Sequence, residues 1–329
     1  MDKIFVNDVG RLRSGWRLLF FIFAFTAASI FITIALRAVY AVVAGTAPRI
    51  PHSDFVFEMV YRVGILAAAL GAGYFCVRLF EALPWRSLGL TLHSGWLRDL
   101  IIGFVVGIAA LLVAVAIAMI GGGLKFSFSD AATTSIGRSM LGSAVLLFVA
   151  ALAEEAAFRG YPLQTLSRAR LALLGVLLTS VPFALVHLLN PNVVPGATFI
   201  NTALAGVWLA AAYLRTRSLW LPLGLHWSWN WAMGWLFGIP VSGSKVTSNP
   251  LLLANDSGPS WLTGGSYGLE GGVACTIALA LFTLFIWRTS LLSATPELKK
   301  LTSEENPVTP QPVVVRSSGF SLSDEQPKG

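Results

Sequence analysis

Charge is what this chain has least of. Only 12% of its 329 residues are Asp, Glu, Lys or Arg, about half the share typical of a soluble domain. Hydrophobic residues make up 55%. Together these figures exclude an ordinary water-solvated domain and place the chain in lipid. Cysteine is nearly absent. Cys76 and Cys275 both fall inside apolar stretches, which argues against a disulfide framework and against a thiolate metal site. The net charge of +7 does not indicate nucleic acid as a partner. The basic residues are scattered between apolar spans, where they act as topology signals.

Long apolar runs are what the chain does have. A helix needs about 20 apolar residues to cross a bilayer. On that rule the sequence predicts an all-α, polytopic membrane helix bundle of about eight transmembrane helices. The expected spans are 18–43, 57–80, 100–121, 139–160, 171–189, 198–214, 219–238 and 271–290. The run from Leu18 to Leu36 holds 19 residues without a charge. That is longer than the apolar core of a signal peptide, so it is expected to be a retained first span.

The basic residues set the expected orientation. Lys3, Arg11, Arg13, Arg17, Arg78, Arg86, Arg98, Arg168, Arg170, Arg215, Arg217, Arg288, Lys299 and Lys300 collect on one side. Arg49, Lys125, Arg138 and Lys245 fall on the other, with Arg37 and Arg62 near span ends. The positive-inside rule then puts both termini in the cytoplasm, and the cell membrane is the expected location. Five regions follow. They are a three-span N-terminal region (1–138), a four-span core (139–238), an external loop rich in Gly, Ser, Pro and Asn (239–269), a last span (270–294) and a disordered cytoplasmic tail (295–329).

Polar residues at membrane depth are the chemical signal. An ionised side chain there costs on the order of 2.5–3.5 kcal/mol on insertion scales and marks a functional site. The fourth span carries Glu154, Glu155 and Arg159 within six residues. Glu155 and Arg159 are i and i+4, so they share a helix face and can pair. Glu154 points about 100° away and is freer to face a cavity. The bland alternative is a buried ion pair with a spare carboxylate. Among the four histidines, His52 and His93 lie in expected loops. His187 and His226 lie in spans, with Phe183 one turn before the first and Asn230 one turn after the second.

Helix rise tests whether these groups can meet. Glu154 to Arg168 descends about 21 Å, Leu171 to His187 climbs about 24 Å, and Ser218 to His226 climbs about 12 Å. The fourth, fifth and seventh spans can therefore converge at one depth, in the cytoplasmic half. Such a constellation suits hydrolysis. A carboxylate can take a proton from water, and a histidine can orient that water or hold a metal around it. A second His with Asn can stabilise an oxyanion. No HExxH zinc motif is present. No Ser-His spacing points to nucleophilic catalysis.

The motifs Glu154-Glu155-Ala156-Ala157-Phe158-Arg159, Phe183 to His187 and His226 to Asn230 resemble those of the CPBP family. That family comprises type II CAAX prenyl endopeptidases and bacteriocin-processing relatives. The resemblance covers about 139–238 and implies an intramembrane endopeptidase. It would cut a membrane-anchored peptide or protein substrate within the lipid bilayer. Glu154 would activate the water with His187, Glu155 would pair with Arg159, and His226 with Asn230 would form the oxyanion pocket. The resemblance leaves zinc open as a cofactor, with His187 and His226 as its ligands. Two other readings compete. One is a membrane scaffold or immunity protein that uses the same cavity without catalysis. The other is a proton-coupled transporter, against which the lack of an inverted repeat counts.

Overall fold

A computed structural model describes residues 2–8, 10–44 and 55–302. The elements in chain order are α1 (Asp2–Phe5), α2 (Ser14–Ala44), α3 (Phe55–Phe80), α4 (Trp96–Ile120), β1 (Leu124–Phe128), α5 (Thr133–Glu155), α6 (Tyr161–Arg168), α7 (Ala172–His187), α8 (Pro195–Thr216), α9 (Trp220–Trp231), β2 (Leu252–Asp256), α10 (Ser260–Thr263), α11 (Val273–Arg288) and α12 (Pro296–Thr302). The protein is an all-α membrane helix bundle. Each expected span has its helix. Five are long and apolar enough to cross a membrane, with α5 and α6 running as one stretch, Thr133–Arg168. The helices of the other three, α7, α9 and α11, are shorter. Phe23, Phe31 and Val42 of α2 stand exposed, as lipid-facing side chains do.

The core lies between α4, α8, α9 and α11. Leu111, Ala114, Leu209, Leu225, Met233 and Ala278 are buried together there. Helices in lipid gain little from apolar burial alone and rely on close backbone packing through small residues. The run Gly103-Phe104-Val105-Val106-Gly107 on α4 supplies that against α9. A Cβ on Gly103 would stand 2.3 Å from the Leu221 carbonyl oxygen, and one on Gly224 would stand 2.3 Å from the Leu100 carbonyl oxygen. These glycines let the helix bearing His226 sit directly on α4.

Three features go beyond what the sequence shows. The segment 239–269 folds onto the bundle. β2 pairs antiparallel with β1, Leu124 opposite Asp256 and Phe128 opposite Leu252. Ile239, Val241, Leu262 and Leu269 bury their side chains, which anchors a loop that composition marks as solvent-exposed. The first residues of the expected disordered tail form α12, because Leu298 finds a buried seat. Residues 303–329, His52 and Arg49 lie outside the described residues. Finally, Arg17 and Arg168 are buried. Both pair with Glu81, which also accepts a 2.5 Å hydrogen bond from Thr165. Leaving one such buried charge unpaired is costly, so this knot binds α2, the end of α3 and α6.

Candidate active site

The paired glutamates stand at the end of α5, where the helix widens into a π-helical turn at Ala156–Gly160 before α6. A second π-helical turn, Ala232–Leu236, follows the His226–Asn230 segment of α9. π-turns inside α-helices recur at functional sites, because each re-aims the side chains around it.

Glu155 is fully buried, and one of its oxygens holds two partners. Oε1 accepts from Arg159 Nη1 at 3.2 Å and from His226 Nδ1 at 2.8 Å. The first contact is the i, i+4 pair that the spacing predicts. The second joins the end of α5 to α9. Arg159 is buried as well. Its Nη2 reaches the Gly206 carbonyl oxygen on α8 at 3.4 Å, and its guanidinium lies 4.4 Å from the Phe183 ring centre on α7. One buried cation thus touches three helices.

Glu154 behaves differently. Its side chain is 25% exposed, with Oε1 at 3.6 Å from Arg62 Nη1 on α3 and Oε2 at 3.7 Å from His226 Nε2. His226 therefore stands between the two carboxylates, bonded to the buried one through Nδ1 and facing the open one through Nε2.

His187 is fixed from within its own helix. Its Nδ1 donates to the Phe183 carbonyl oxygen at 2.7 Å, a bond that does not involve Nε2. Phe183 connects the cluster. Its ring centre is 4.5 Å from that of His187, 6.2 Å from that of His226 and 5.2 Å from that of Phe158. His187, His226 and Asn230 line one cavity of about 40 Å³. The Asn230 amide has no hydrogen-bond partner among the described residues and lies open to that cavity. Glu154 and Glu155 approach His226 from outside the cavity lining.

Trp208, Ser242 and Glu270 are among the cavity residues that carry no motif signal. Arg62 was also missed as a site residue, although a cation inside an apolar span is itself the available signal. His93, assigned no role in the sequence, is buried. Its Nε2 lies 3.2 Å from Ser218 Oγ and 3.6 Å from Asp99 Oδ2. A catalytic triad needs the serine and the acid on opposite ring nitrogens. Here both face one nitrogen, and Ser218 is fully buried. The arrangement is structural.

Zinc fits poorly. Catalytic zinc takes three protein ligands and keeps one position open. Among the described residues, no group of three or more His, Cys, Asp or Glu side chains is arranged to hold a metal ion.

No curated protein matches the chain. Residues 136–232, which carry all three motifs and under a third of the chain, match the family described as "Type II CAAX prenyl endopeptidase Rce1-like", a finding consistent with a membrane protease of the CPBP family.

Proposed function

We propose that this protein is an intramembrane endopeptidase in which Glu154 activates the attacking water. The observation that carries this reading is the 3.7 Å between Glu154 Oε2 and His226 Nε2. That gap is too long for a direct hydrogen bond and of the length a single water bridges. His226 is locked by Glu155, and Glu155 by Arg159, so the gap is held by a chain of contacts rather than by one side chain.

The steps balance without a further reactant. Glu154 takes a proton from water as the oxygen attacks the scissile carbonyl carbon. The carbonyl oxygen becomes negative and is met by the Asn230 amide N–H and by His226 Nε2 when it too carries a proton, both residues lining the cavity. His187, held through Nδ1, turns Nε2 toward the same space and helps orient the water. The proton on Glu154 passes to the amide nitrogen, the C–N bond breaks, and the proton of the new carboxylic acid moves to the freed amine, so a carboxylate and an ammonium leave. General-base help of this kind contributes roughly 10²–10⁴-fold. Loss of one oxyanion donor costs roughly 10²–10³-fold. No step runs through a metal.

The substrate is a membrane-anchored peptide or protein, consistent with a site built among apolar helices. Both termini face the cytoplasm of a cell-membrane protein, and the site opens in the cytoplasmic half. The test is cleavage of membrane-anchored peptides by purified protein in lipid vesicles. Wild type cuts, and Glu154→Gln, with unchanged thermal unfolding, does not. Equal cutting by both would end the proposal.

A further inference from the structure

The cavity that holds His187, His226 and Asn230 is also lined by Trp208, Trp229 and Glu270. Trp208 and Trp229 form aromatic walls there, with ring centres 6.1 Å apart and nearly perpendicular. Glu270 adds a carboxylate. Three donors fix that carboxylate. Trp229 Nε1 donates to Oε1 at 3.2 Å, while the Ser242 backbone N–H and hydroxyl donate to Oε2, each at 2.8 Å. A carboxylate offers about four acceptor positions, so one remains on Oε1.

Glu270 has no cationic partner among the described residues, and no Lys or Arg lines the cavity. The two imidazoles in it are committed, His187 through Nδ1 to Phe183 and His226 through Nδ1 to Glu155. Burial, then the Glu270 carboxylate, pushes the Tyr267 phenol up, so Tyr267 stays a neutral neighbour. A fixed carboxylate beside two indole faces is the chemistry that binds an organic cation. Trp208 adds a buried indole N–H that has no hydrogen-bond partner among the described residues.

We propose that the Glu270–Trp208–Trp229 part of the cavity lining is a subsite for an ammonium or guanidinium group of the substrate. It rests on the endopeptidase reading for its role, since Trp229 precedes Asn230 and places the subsite beside the oxyanion pocket. The cation has two sources. One is a Lys or Arg side chain near the scissile bond. The other is the α-ammonium that hydrolysis itself creates.

Binding separates this proposal from catalysis. The full chain carrying Glu154→Gln is placed in lipid vesicles and titrated with membrane-anchored peptides bearing one Lys, moved position by position, and with norleucine counterparts. A second arm uses short peptides with free or acetylated N-termini. At one position the Lys peptide, or in the second arm the free amine, binds roughly tenfold more tightly. Adding Glu270→Gln removes that difference. Ser242→Ala drops one anchor of the same carboxylate but keeps its charge, and it retains the preference. No preference in either arm overturns the subsite, as does a preference lost equally in Ser242→Ala and Glu270→Gln, which marks a purely structural role. Failure of cleavage alone leaves these binding outcomes readable.

Discussion

His226 is hydrogen-bonded through Nδ1 to Glu155 at 2.8 Å and turns Nε2 to Glu154 at 3.7 Å. One imidazole therefore separates two adjacent carboxylates that differ in burial, partners and expected role.

The first prediction uses that difference. Glu154 is partly exposed and its contacts are long, so Glu154→Gln leaves stability nearly unchanged and lowers cleavage by at least about 10²-fold. Glu155→Ala strips both Arg159 and His226 of their buried acceptor. Breaking a buried pair from one side costs about 3–5 kcal/mol, so this variant loses activity and stability together. Thermal unfolding in detergent, measured beside cleavage, separates the two patterns.

A second prediction concerns Phe183, which packs on Arg159, His187 and His226 at once. Phe183→Leu keeps an apolar side chain but removes the ring under the guanidinium, a contact worth about 0.5–2 kcal/mol. The backbone carbonyl that holds His187 Nδ1 remains. We expect a drop of about 1–2 kcal/mol in stability and a loss of activity larger than that drop explains. Unfolding midpoints and kcat report the two effects.

Third, Gly103→Val pushes α9 away from α4, because its Cβ already meets the Leu221 carbonyl. Overpacking typically costs about 1–3 kcal/mol. The displaced helix carries His226 and Asn230, so activity falls although no proposed catalytic group has been changed. Gly137→Ala, where an added Cβ meets nothing within 4 Å, is the control and stays active.

Fourth, Arg62 tests how far α3 contributes. Its contacts with Glu58 and Glu154 are 3.6 Å each and half-exposed, so the pairs are worth under about 1 kcal/mol. Arg62→Gln keeps stability within that range. It lowers kcat several-fold, because Glu154 loses one of its two orienting neighbours. Unchanged kcat would remove Arg62 from the site.

Much of this arrangement is legible in the sequence. The apolar runs mark all eight helices, because lipid selects for composition over about 20 residues. The Glu155–Arg159 contact follows from i, i+4 spacing. The three motifs mark the helices that meet. What is not legible depends on contacts between distant segments. The β1–β2 pair joins residues more than 120 positions apart, and neither strand shows a period strong enough to announce it. Glu270 lies just outside the last expected span and gains meaning only through Trp229 and Ser242. Arg17 and Arg168 carry the positive charge that a topology rule counts, but Glu81 buries both. Gly103 and Gly107 matter only through the helix that packs on them, which their spacing does not name.

The most direct measurement compares membrane peptidomes of cells expressing wild-type protein and Glu154→Gln at equal levels. The account predicts peptides with new termini in the wild type that are missing in the variant, while the intact membrane-anchored precursors accumulate in the variant. Identical peptidomes, with any cellular phenotype rescued equally by both proteins, would contradict it and favour a non-catalytic membrane scaffold.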